Sequence, residues 1–453
     1  MNIAFPLIFI LFASLSPADS PSAVVVPTEP PRANLPPAPV GPTPKEQDKI
    51  RELIHRLSNT DFEIRDAAHL ALADFSGKAY LQLLEAESTS TDAETRHRCE
   101  LLIPAARAAH FQDRIDAFLA DTKGEYKHDI PGLEELWQRT QNRSAAREFF
   151  VKILQEPSTK KILLIGESNP EAIPSAVQIR VTEIHNRHKV KPPEAPPGLL
   201  VNPPAIERPA KVSINQATPV EILSLLYCDT LSKDPNDPIT FVGGRRIRNN
   251  LTINLYQLAF RNLQFKPGSQ QNNETLSDED YLVAREIVKG WFESRQDPLD
   301  INIAINYSIQ FDMPDVAISL SKKMLAQQNY SNLRGTAISV LGRFSHDKEA
   351  RAELEKLLND KTRVIDHIEQ RKGENGRIVN LRVPIQTRDI ALAMLIYADG
   401  LAPTDFGMKV STQNEKMKYL STNHWFETDE DRTAGFEKYE REKKQKKTLK
   451  HEK

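Results

Sequence analysis

Cysteine is the residue type in this chain that could support redox chemistry or a covalent cross-link. The sequence holds two cysteines, Cys99 and Cys228, which is too few for a disulfide framework. One bridge between them would suit an oxidising compartment, but their separation of 129 residues gives no support for it. Cys99 stands where three related segments carry alanine, so we interpret it as a small buried apolar residue rather than a redox group.

Histidine could supply metal ligands. His185 and His188 are three residues apart at the end of a predicted helix, a spacing that can hold a metal ion. No third ligand stands near them, and His97 and His110 flank Cys99 too loosely to complete a site. We therefore expect no metal and no other cofactor.

The sequence lacks the short motifs of common catalytic and phosphate-binding sites. It contains no HExxH pair, no phosphate-cradling glycine loop and no G-x-S-x-G segment. Gly243 and Gly244, followed by Arg245, Arg246 and Arg248, could form an anion site, but we favour a basic turn before a helix. We assign no catalytic, cofactor-binding or metal-binding residues and expect that the chain is not an enzyme.

An internal repeat early in the chain is the feature that organises these residues. Four residues recur with an offset of 31: Thr60, Asp61, Glu63 and Arg65 return as Thr91, Asp92, Glu94 and Arg96. Repetition of this length is typical of stacked helical solenoids. Each copy predicts a capping box, in which the Thr hydroxyl accepts from the backbone N–H three residues on and the Glu reaches back to the Thr amide.

The first repeat helix carries a stripe of apolar residues at Ala68, Ala71, Leu72 and Phe75. Gly77 follows the stripe. Because glycine has no Cβ to resist a left-handed conformation, we expect it to end this helix in a left-handed turn.

The same apolar register returns downstream. Counted from four helical arginines (Arg65, Arg96, Arg334 and Arg388), the third residues are Ala68, Cys99, Ala337 and Ala391, the sixth are Ala71, Leu102, Val340 and Met394, and the seventh are Leu72, Ile103, Leu341 and Leu395. Small residues at a fixed offset suit helices whose backbones approach closely. The same register predicts that Thr336 faces solvent.

In these segments the chain resembles HEAT and HEAT-like repeats of exported bacterial proteins of unassigned function. The resemblance implies an α-α solenoid, and such repeats serve as scaffolds rather than as sites. Arg65 and Asp92 could be interpreted as part of a functional ladder. We favour a structural role, in which the pair ties one repeat to the next and the aspartate also favours the positive helix N-terminus.

Length and charge set the broad class. At 453 residues the chain has room for two or three domains, and its net charge of −2 gives no overall field that would favour nucleic acid or a membrane. Residues 1–18 contain a short apolar run followed by Ser16 and Ala18, which predicts a signal peptide cut before Asp19. An uncleaved N-terminal anchor is the alternative. Both predict export to the periplasm or cell envelope, and cleavage, which we favour, would leave no membrane span in the mature chain.

We predict a mainly α-helical fold: an irregular HEAT-like α-α solenoid with Pro-rich linkers and a β-hairpin inserted at about 363–383. The expected segments are a signal peptide (1–18), a Pro-rich disordered linker (19–44), N-terminal HEAT-like repeats (45–122), an irregular helical region (123–190), a Pro-rich connector (191–212), a C-terminal helical HEAT-like region (213–408) and a polar, basic tail (409–453). The helices predicted most clearly by periodicity are 145–154, 173–184, 219–227, 251–262, 278–292, 298–311, 314–327, 331–344 and 386–398.

The C-terminal tail has two interpretations. From Lys438 onward it contains eight basic and three acidic residues, so it could contact an anionic surface, but we favour a solvated, frayed helix. Trp425 and Phe426, just upstream, are expected to dock the tail onto the last helices.

The architecture favours a non-catalytic protein-binding scaffold of the cell envelope, because stacked helix pairs form long surfaces suited to protein partners. One rival is an envelope enzyme or processing factor with its site in residues 105–330. Another is a purely structural envelope protein. Neither nucleic acid nor a cofactor is expected as a partner.

Overall fold

The structure is a computed structural model of the chain. It describes residues 35–140, 143–187, 217–232, 239–242, 245–248, 251–263, 276–327, 331–372, 377–411 and 418–451. The described part is mainly helical, which confirms the coarse prediction. The chain divides into two compact units, and the division falls between Val288 and Lys289.

The described elements of the first unit are mainly helices. They are α1 (Pro44–Arg56), α2 (Phe62–Phe75), α3 (Tyr80–Thr89), α4 (Ala93–Ala120), α5 (Leu133–Thr140), α6 (Arg143–Gln155), α7 (Pro157–Ser168), α8 (Ile173–Arg187), α9 (Pro219–Thr230) and α10 (Leu251–Asn262), with strands β1 (Ile239–Val242) and β2 (Arg245–Arg248) between the last two helices. Helix α11 (Asp278–Glu293) contains the division between the units.

The second unit combines helices with short strand pairs. Its elements are α12 (Pro298–Gln310), α13 (Pro314–Leu325), α14 (Ser331–Arg343), α15 (Lys348–Lys356), β3 (Arg363–Lys372), β4 (Ile378–Gln386), α16 (Thr387–Ala398), β5 (Lys409–Val410), β6 (His424–Trp425) and α17 (Asp429–His451). The helices that periodicity predicts are present, and their ends agree with the predicted ends to within three residues.

Aspartates, rather than threonines, cap the two repeat helices. The Asp61 side chain accepts from the N–H of Glu63 at the start of α2, and the Asp92 side chain accepts from the N–H of Thr95 at the start of α4. The prediction that Thr60 and Thr91 form capping boxes is therefore wrong. A carboxylate one position later accepts from an exposed N–H of the first helical turn and also favours the positive end of the helix.

A capping box does occur one helix earlier, at the start of α1. The Thr43 hydroxyl accepts from the N–H of Glu46, and the Glu46 carboxylate accepts from the N–H of Thr43 at 2.7 Å. A hydrogen bond from Lys78, followed by those from the Thr43 N–H and hydroxyl to the carboxylate, lowers the pKa of Glu46 to about 2. Helix α1 is thus fixed at its first residue, directly after the Pro-rich segment.

The end of the predicted linker is attached to the first unit. Pro37 pairs with Lys127 in an isolated parallel bridge, in which the Ala38 N–H donates to the Lys127 carbonyl at 3.0 Å and the Lys127 N–H donates to the Pro36 carbonyl at 2.9 Å. Residues 1–34, including the predicted signal peptide, and residues 188–216, which include the predicted connector, lie outside the described residues.

The predicted small-residue register points into the protein in all four helices. Ala68 is 2% exposed and Cys99, Ala337 and Ala391 are fully buried. The large residues four positions further on, Leu72, Ile103, Leu341 and Leu395, are buried as well. Thr336, which the register places toward solvent, is half-buried.

Gly77 has a different role from the one predicted. The left-handed residue at the end of α2 is Ser76, with φ 51°, and Gly77 sits in the short 3-10 turn that follows. A Cβ on Gly77 would lie 2.5 Å from the His110 backbone nitrogen and 2.8 Å from the Ala109 carbonyl carbon. Glycine is required here because the turn presses against the backbone of α4.

The described residues contain three antiparallel strand pairs, the shortest of which joins β5 to β6. Strands β1 and β2 pair antiparallel, from Ile239 opposite Arg248 to Val242 opposite Arg245. The prediction of a basic turn at Arg245–Arg248 is therefore wrong, and Gly243 and Gly244 lie outside the described residues. Strands β3 and β4 pair antiparallel from Lys372 opposite Ile378 to Arg363 opposite Gln386, with a register shift between Arg363 and Ile365.

The C-terminal helix α17 packs against the second unit. Arg432 is 3% exposed, and its Nε donates at 2.9 Å to the carboxylate of Asp389 in α16, which is fully buried. The Tyr439 hydroxyl donates to Asp399 at 3.1 Å. The expected solvated helix is therefore wrong at Tyr439, which is 2% exposed. Trp425 and Phe426 are buried beside this helix start, as their predicted docking role requires.

Within the described residues, no helix is both long enough and apolar enough to cross a membrane.

Adjacent substitutions at the end of α2 should have opposite effects. Gly77→Ala should lower the free energy of unfolding by about 1–3 kcal/mol, because its methyl group must displace the α4 backbone. Ser76→Gly should leave it unchanged or raise it, because glycine adopts a positive φ without strain. Urea denaturation of both variants measures the difference. A stable Gly77→Ala variant would show that α4 does not approach this turn closely.

Candidate functional site

Helices α2 and α4 lie side by side and are joined by charged side chains. Arg65 Nε is 3.5 Å from the Glu94 carboxylate, and Arg98 bonds Glu94 at 2.6 Å and reaches Asp66 at 3.6 Å. Arg65 therefore ties the two repeats together, as expected, but its partner is Glu94 rather than Asp92. Asp92 is occupied at the helix cap, where Thr95 donates to it from both its N–H and its hydroxyl and lowers its pKa.

Two leucines at equivalent repeat positions protrude from this pair of helices. Leu70 and Leu101 are separated by the same 31 residues as the repeat, and each is 60% exposed. Each lies two residues after the buried register position, which turns it to the outer side of its helix. Phe62, at the start of α2, is 61% exposed. We call this surface the α2–α4 face, defined by Phe62, Asp66, Leu70, Glu94, Arg98 and Leu101.

Cationic side chains hold Phe62 in place on this face. The guanidinium carbons of Arg65 and Arg98 each lie 5.7 Å from the centre of the Phe62 ring. Contacts of this type contribute about 0.5–1 kcal/mol at exposed sites. The arrangement gives an exposed aromatic ring a defined position, which is a common property of residues that anchor protein interfaces.

The cysteines are poor nucleophiles in this fold. Both are buried and neither is in a disulfide. Burial raises the pKa of the Cys99 thiol to about 11 and raises the pKa of Cys228 further still. Because the thiolate is the reactive form, the structure favours the interpretation of Cys99 as a buried apolar residue.

The predicted histidine pair is only partly within the described residues. His185 Nδ1 is 2.9 Å from the Val181 carbonyl oxygen one turn earlier in α8, and His188 lies outside the described residues. His97 and His110 are not brought together with Cys99 into a ligand set; among the described residues, no three His, Cys, Asp or Glu side chains are grouped so that they could hold a metal ion.

A buried carboxylate with two arginines joins α8 to α9. Glu221 is 4% exposed, and Arg180 and Arg187 bond its two oxygens at 2.7–3.1 Å. Glu156 nearby has a raised pKa, first because it is buried and second because of the Glu221 charge. The two arginines compensate the Glu221 charge, so this cluster serves to hold two helices together. Glu221 lies 41 and 34 residues after the two arginines in the sequence, so no local motif could have identified the cluster.

A second charged cluster closes the loop after α4. Asp121, 8% exposed, accepts from the N–H groups of Glu125 and Tyr126 and lies 2.8 Å from His128 Nε2. His128 in turn meets the Phe118 ring edge-on at 5.3 Å between ring centres. The carboxylate therefore organises the loop backbone, and its oxygens are occupied by these donors.

The second unit contains a buried aromatic and polar cluster around His424. This histidine is fully buried, and its Nε2 lies 2.8 Å from the Tyr397 hydroxyl. The adjacent Trp425 ring stacks on His367 of β3 at 3.6 Å between centres. Burial lowers the pKa of His424 to about 4. The group is neutral at physiological pH and has no access to solvent, so it joins the hairpin to α16 rather than forming an open site.

His424 should make the protein less stable in acid. The unfolded chain binds a proton at its ordinary pKa of 6.5, whereas the folded protein binds it only near 4. The contribution of neutral His424 to the free energy of unfolding is therefore fully present above pH 6.5. It is lost as the pH falls toward 4, which lowers the free energy of unfolding by roughly 3 kcal/mol. His424→Gln should flatten this dependence in urea denaturation at a series of pH values. His97→Gln, on a side chain that is 64% exposed, is the control. Equal pH slopes for all three proteins would contradict the assignment.

Comparison of the chain with known proteins found no matching family model, no matching curated protein and no matching solved structure.

Proposed function

We propose that the chain is a non-catalytic protein-binding scaffold of the cell envelope, built on an irregular HEAT-like α-α solenoid into which the β3–β4 hairpin is inserted. The observation that carries the proposal is the pair of equivalent, exposed leucines Leu70 and Leu101 on neighbouring helices. An apolar surface framed by charged side chains is typical of a protein interaction site. Phe62 and Arg98 add the aromatic and arginine side chains that interfaces favour.

The stacking of α2 on α4 supports the solenoid part of the proposal. The repeat places Cys99 at the position of Ala68, and both face the core with Leu72 and Ile103. Because the two repeat helices bury equivalent positions, their outer faces are equivalent as well, and Leu101 stands at the position of Leu70. Export from the cytoplasm is part of the same proposal and rests on residues 1–18 of the sequence.

The enzyme alternative receives less support from the described residues. Among the described residues of 105–330, two of the four buried carboxylates are held by their own neighbours: Asp121 by two backbone N–H groups and His128, and Glu221 by Arg180 and Arg187. A general base needs a lone pair available to substrate. These groups are used to fix loops and helices, which favours a binding role over catalysis.

Binding of a partner should depend on the two leucines. The full chain, immobilised and incubated with an envelope extract, should retain a defined set of proteins that a Leu70→Ser/Leu101→Ser variant does not retain. Thermal denaturation of the variant should be unchanged, because both side chains are exposed.

The matched control is Leu81→Ser. Leu81 lies on α3, outside the α2–α4 face, and is 61% exposed. It should retain the same proteins as the wild type. If the double variant retains every protein that the wild type does, the α2–α4 face is not the binding surface and the proposal fails.

A further inference from the structure

The repeat pair that forms the α2–α4 face has an excess of negative charge. Residues 60–101 contain nine acidic and four basic residues, a net charge of −5 in a chain whose overall net charge is −2. The only lysine in this segment is Lys78, and it is engaged with Glu46 of α1 at 2.8 Å. The segment is therefore far more acidic than the chain as a whole.

The charges on the face fall into two groups. In the inner group, Arg65 and Arg98 neutralise Glu94 and Asp66 along the junction between the helices. The outer group consists of Glu63, Asp74 and Glu100, all exposed. Glu100 lies 3.7 Å from His97, which compensates it only when the imidazole is protonated. The net effect around the two leucines is a negative rim.

The spacing of the leucines suits a helical partner. Ion pairs place α2 and α4 side by side, and neighbouring packed helices lie about 8–10 Å apart, so we expect a similar separation between Leu70 and Leu101 at their equivalent positions. Residues seven apart on an α-helix lie on one face and are about 10 Å apart along its axis. A helix laid across α2 and α4 can therefore place one apolar residue against each leucine.

We infer that the partner at the α2–α4 face is a basic amphipathic helix, whose apolar face covers Leu70 and Leu101 and whose lysines or arginines meet the outer rim of Glu63, Asp74 and Glu100. This inference rests on the proposed scaffold function and specifies its partner by chemistry. The apolar contacts supply the affinity. The opposite charges set the orientation and raise the association rate, and they exclude acidic segments.

The direct test uses synthetic peptides with the full chain. One fluorescent peptide of roughly 18 residues, long enough to form a helix, carries leucines at helical spacing and lysines elsewhere. A second replaces every lysine with glutamate. Fluorescence anisotropy should show saturable binding of the lysine peptide, weakened by added salt, and no binding of the glutamate peptide.

Variants then locate the site. Leu70→Ser/Leu101→Ser should weaken binding of the lysine peptide by about tenfold or more, because two exposed leucines lose their apolar contacts. Glu63→Lys/Asp74→Lys/Glu100→Lys should weaken it as well and should remove most of its salt dependence. The matched control is Leu81→Ser/Glu85→Lys on α3, where both residues are exposed; it should bind like the wild type.

The outcomes separate this inference from the scaffold function. Equal binding of the two peptides, or equal loss in the face and control variants, would overturn the basic-helix inference. If the envelope proteins still depend on Leu70 and Leu101 and the lysine peptide does not displace them, the scaffold role stands and the partner has a different chemistry. If the envelope proteins do not depend on those leucines, the scaffold role itself fails.

Discussion

The close approach of helix backbones at small side chains is the constraint on which the N-terminal part of the structure depends. Ala68 and Cys99 are buried at the same position of successive repeat helices, and Gly77 leaves no room for a Cβ against α4. Because packed interiors have few voids, a larger group at any of these positions must displace a helix. The close approach of the helices also determines which side chains meet between α2 and α4, such as Arg98 with Glu94 and Asp66. Other side chains, including Leu70 and Leu101, face solvent.

In the second unit, a buried ion pair between Asp389 and Arg432 helps to position helix α17. Asp389 is fully buried and has a raised pKa, because burial disfavours its charged form more than Arg432 and the Gln386 N–H favour it. A buried ion pair adds little net stability compared with apolar packing, but loss of one partner leaves an uncompensated charge. Arg432 therefore specifies where α17 docks, and Tyr439 extends that docking along the helix. The apolar contacts of Phe426 and Phe436 accompany it.

Local periodicity predicted the helices well, because each apolar stripe must face a core. It could also have located the α2–α4 face, since Leu70 and Leu101 follow from the same 31-residue offset as the arginines. Caps were harder to predict: threonine and aspartate stand side by side at 60–61 and 91–92, and backbone geometry decides which one reaches the free N–H groups. The role of Gly77 does not follow from the sequence, because the sequence does not show how closely α4 approaches the turn.

Other features could not have been found from local patterns. Strands β1 and β2 are four residues each, too short for alternation to stand out. The Glu221 cluster and the Asp389–Arg432 pair join residues that are 34–43 positions apart. Such pairs depend on the packing of whole helices, and any acidic residue in the sequence could have been matched with many basic ones.

The central claim, that a register of small buried residues holds α2 against its neighbours, is tested most directly at two adjacent alanines. Ala68 is 2% exposed and Ala67 is exposed, so both can be changed to leucine with the same gain in volume. In urea denaturation, Ala68→Leu should lower the free energy of unfolding by about 1–3 kcal/mol, and Ala67→Leu should change it by less than about 0.5 kcal/mol. Equal effects, or a larger loss at Ala67, would contradict the register and with it the stacking that positions the α2–α4 face.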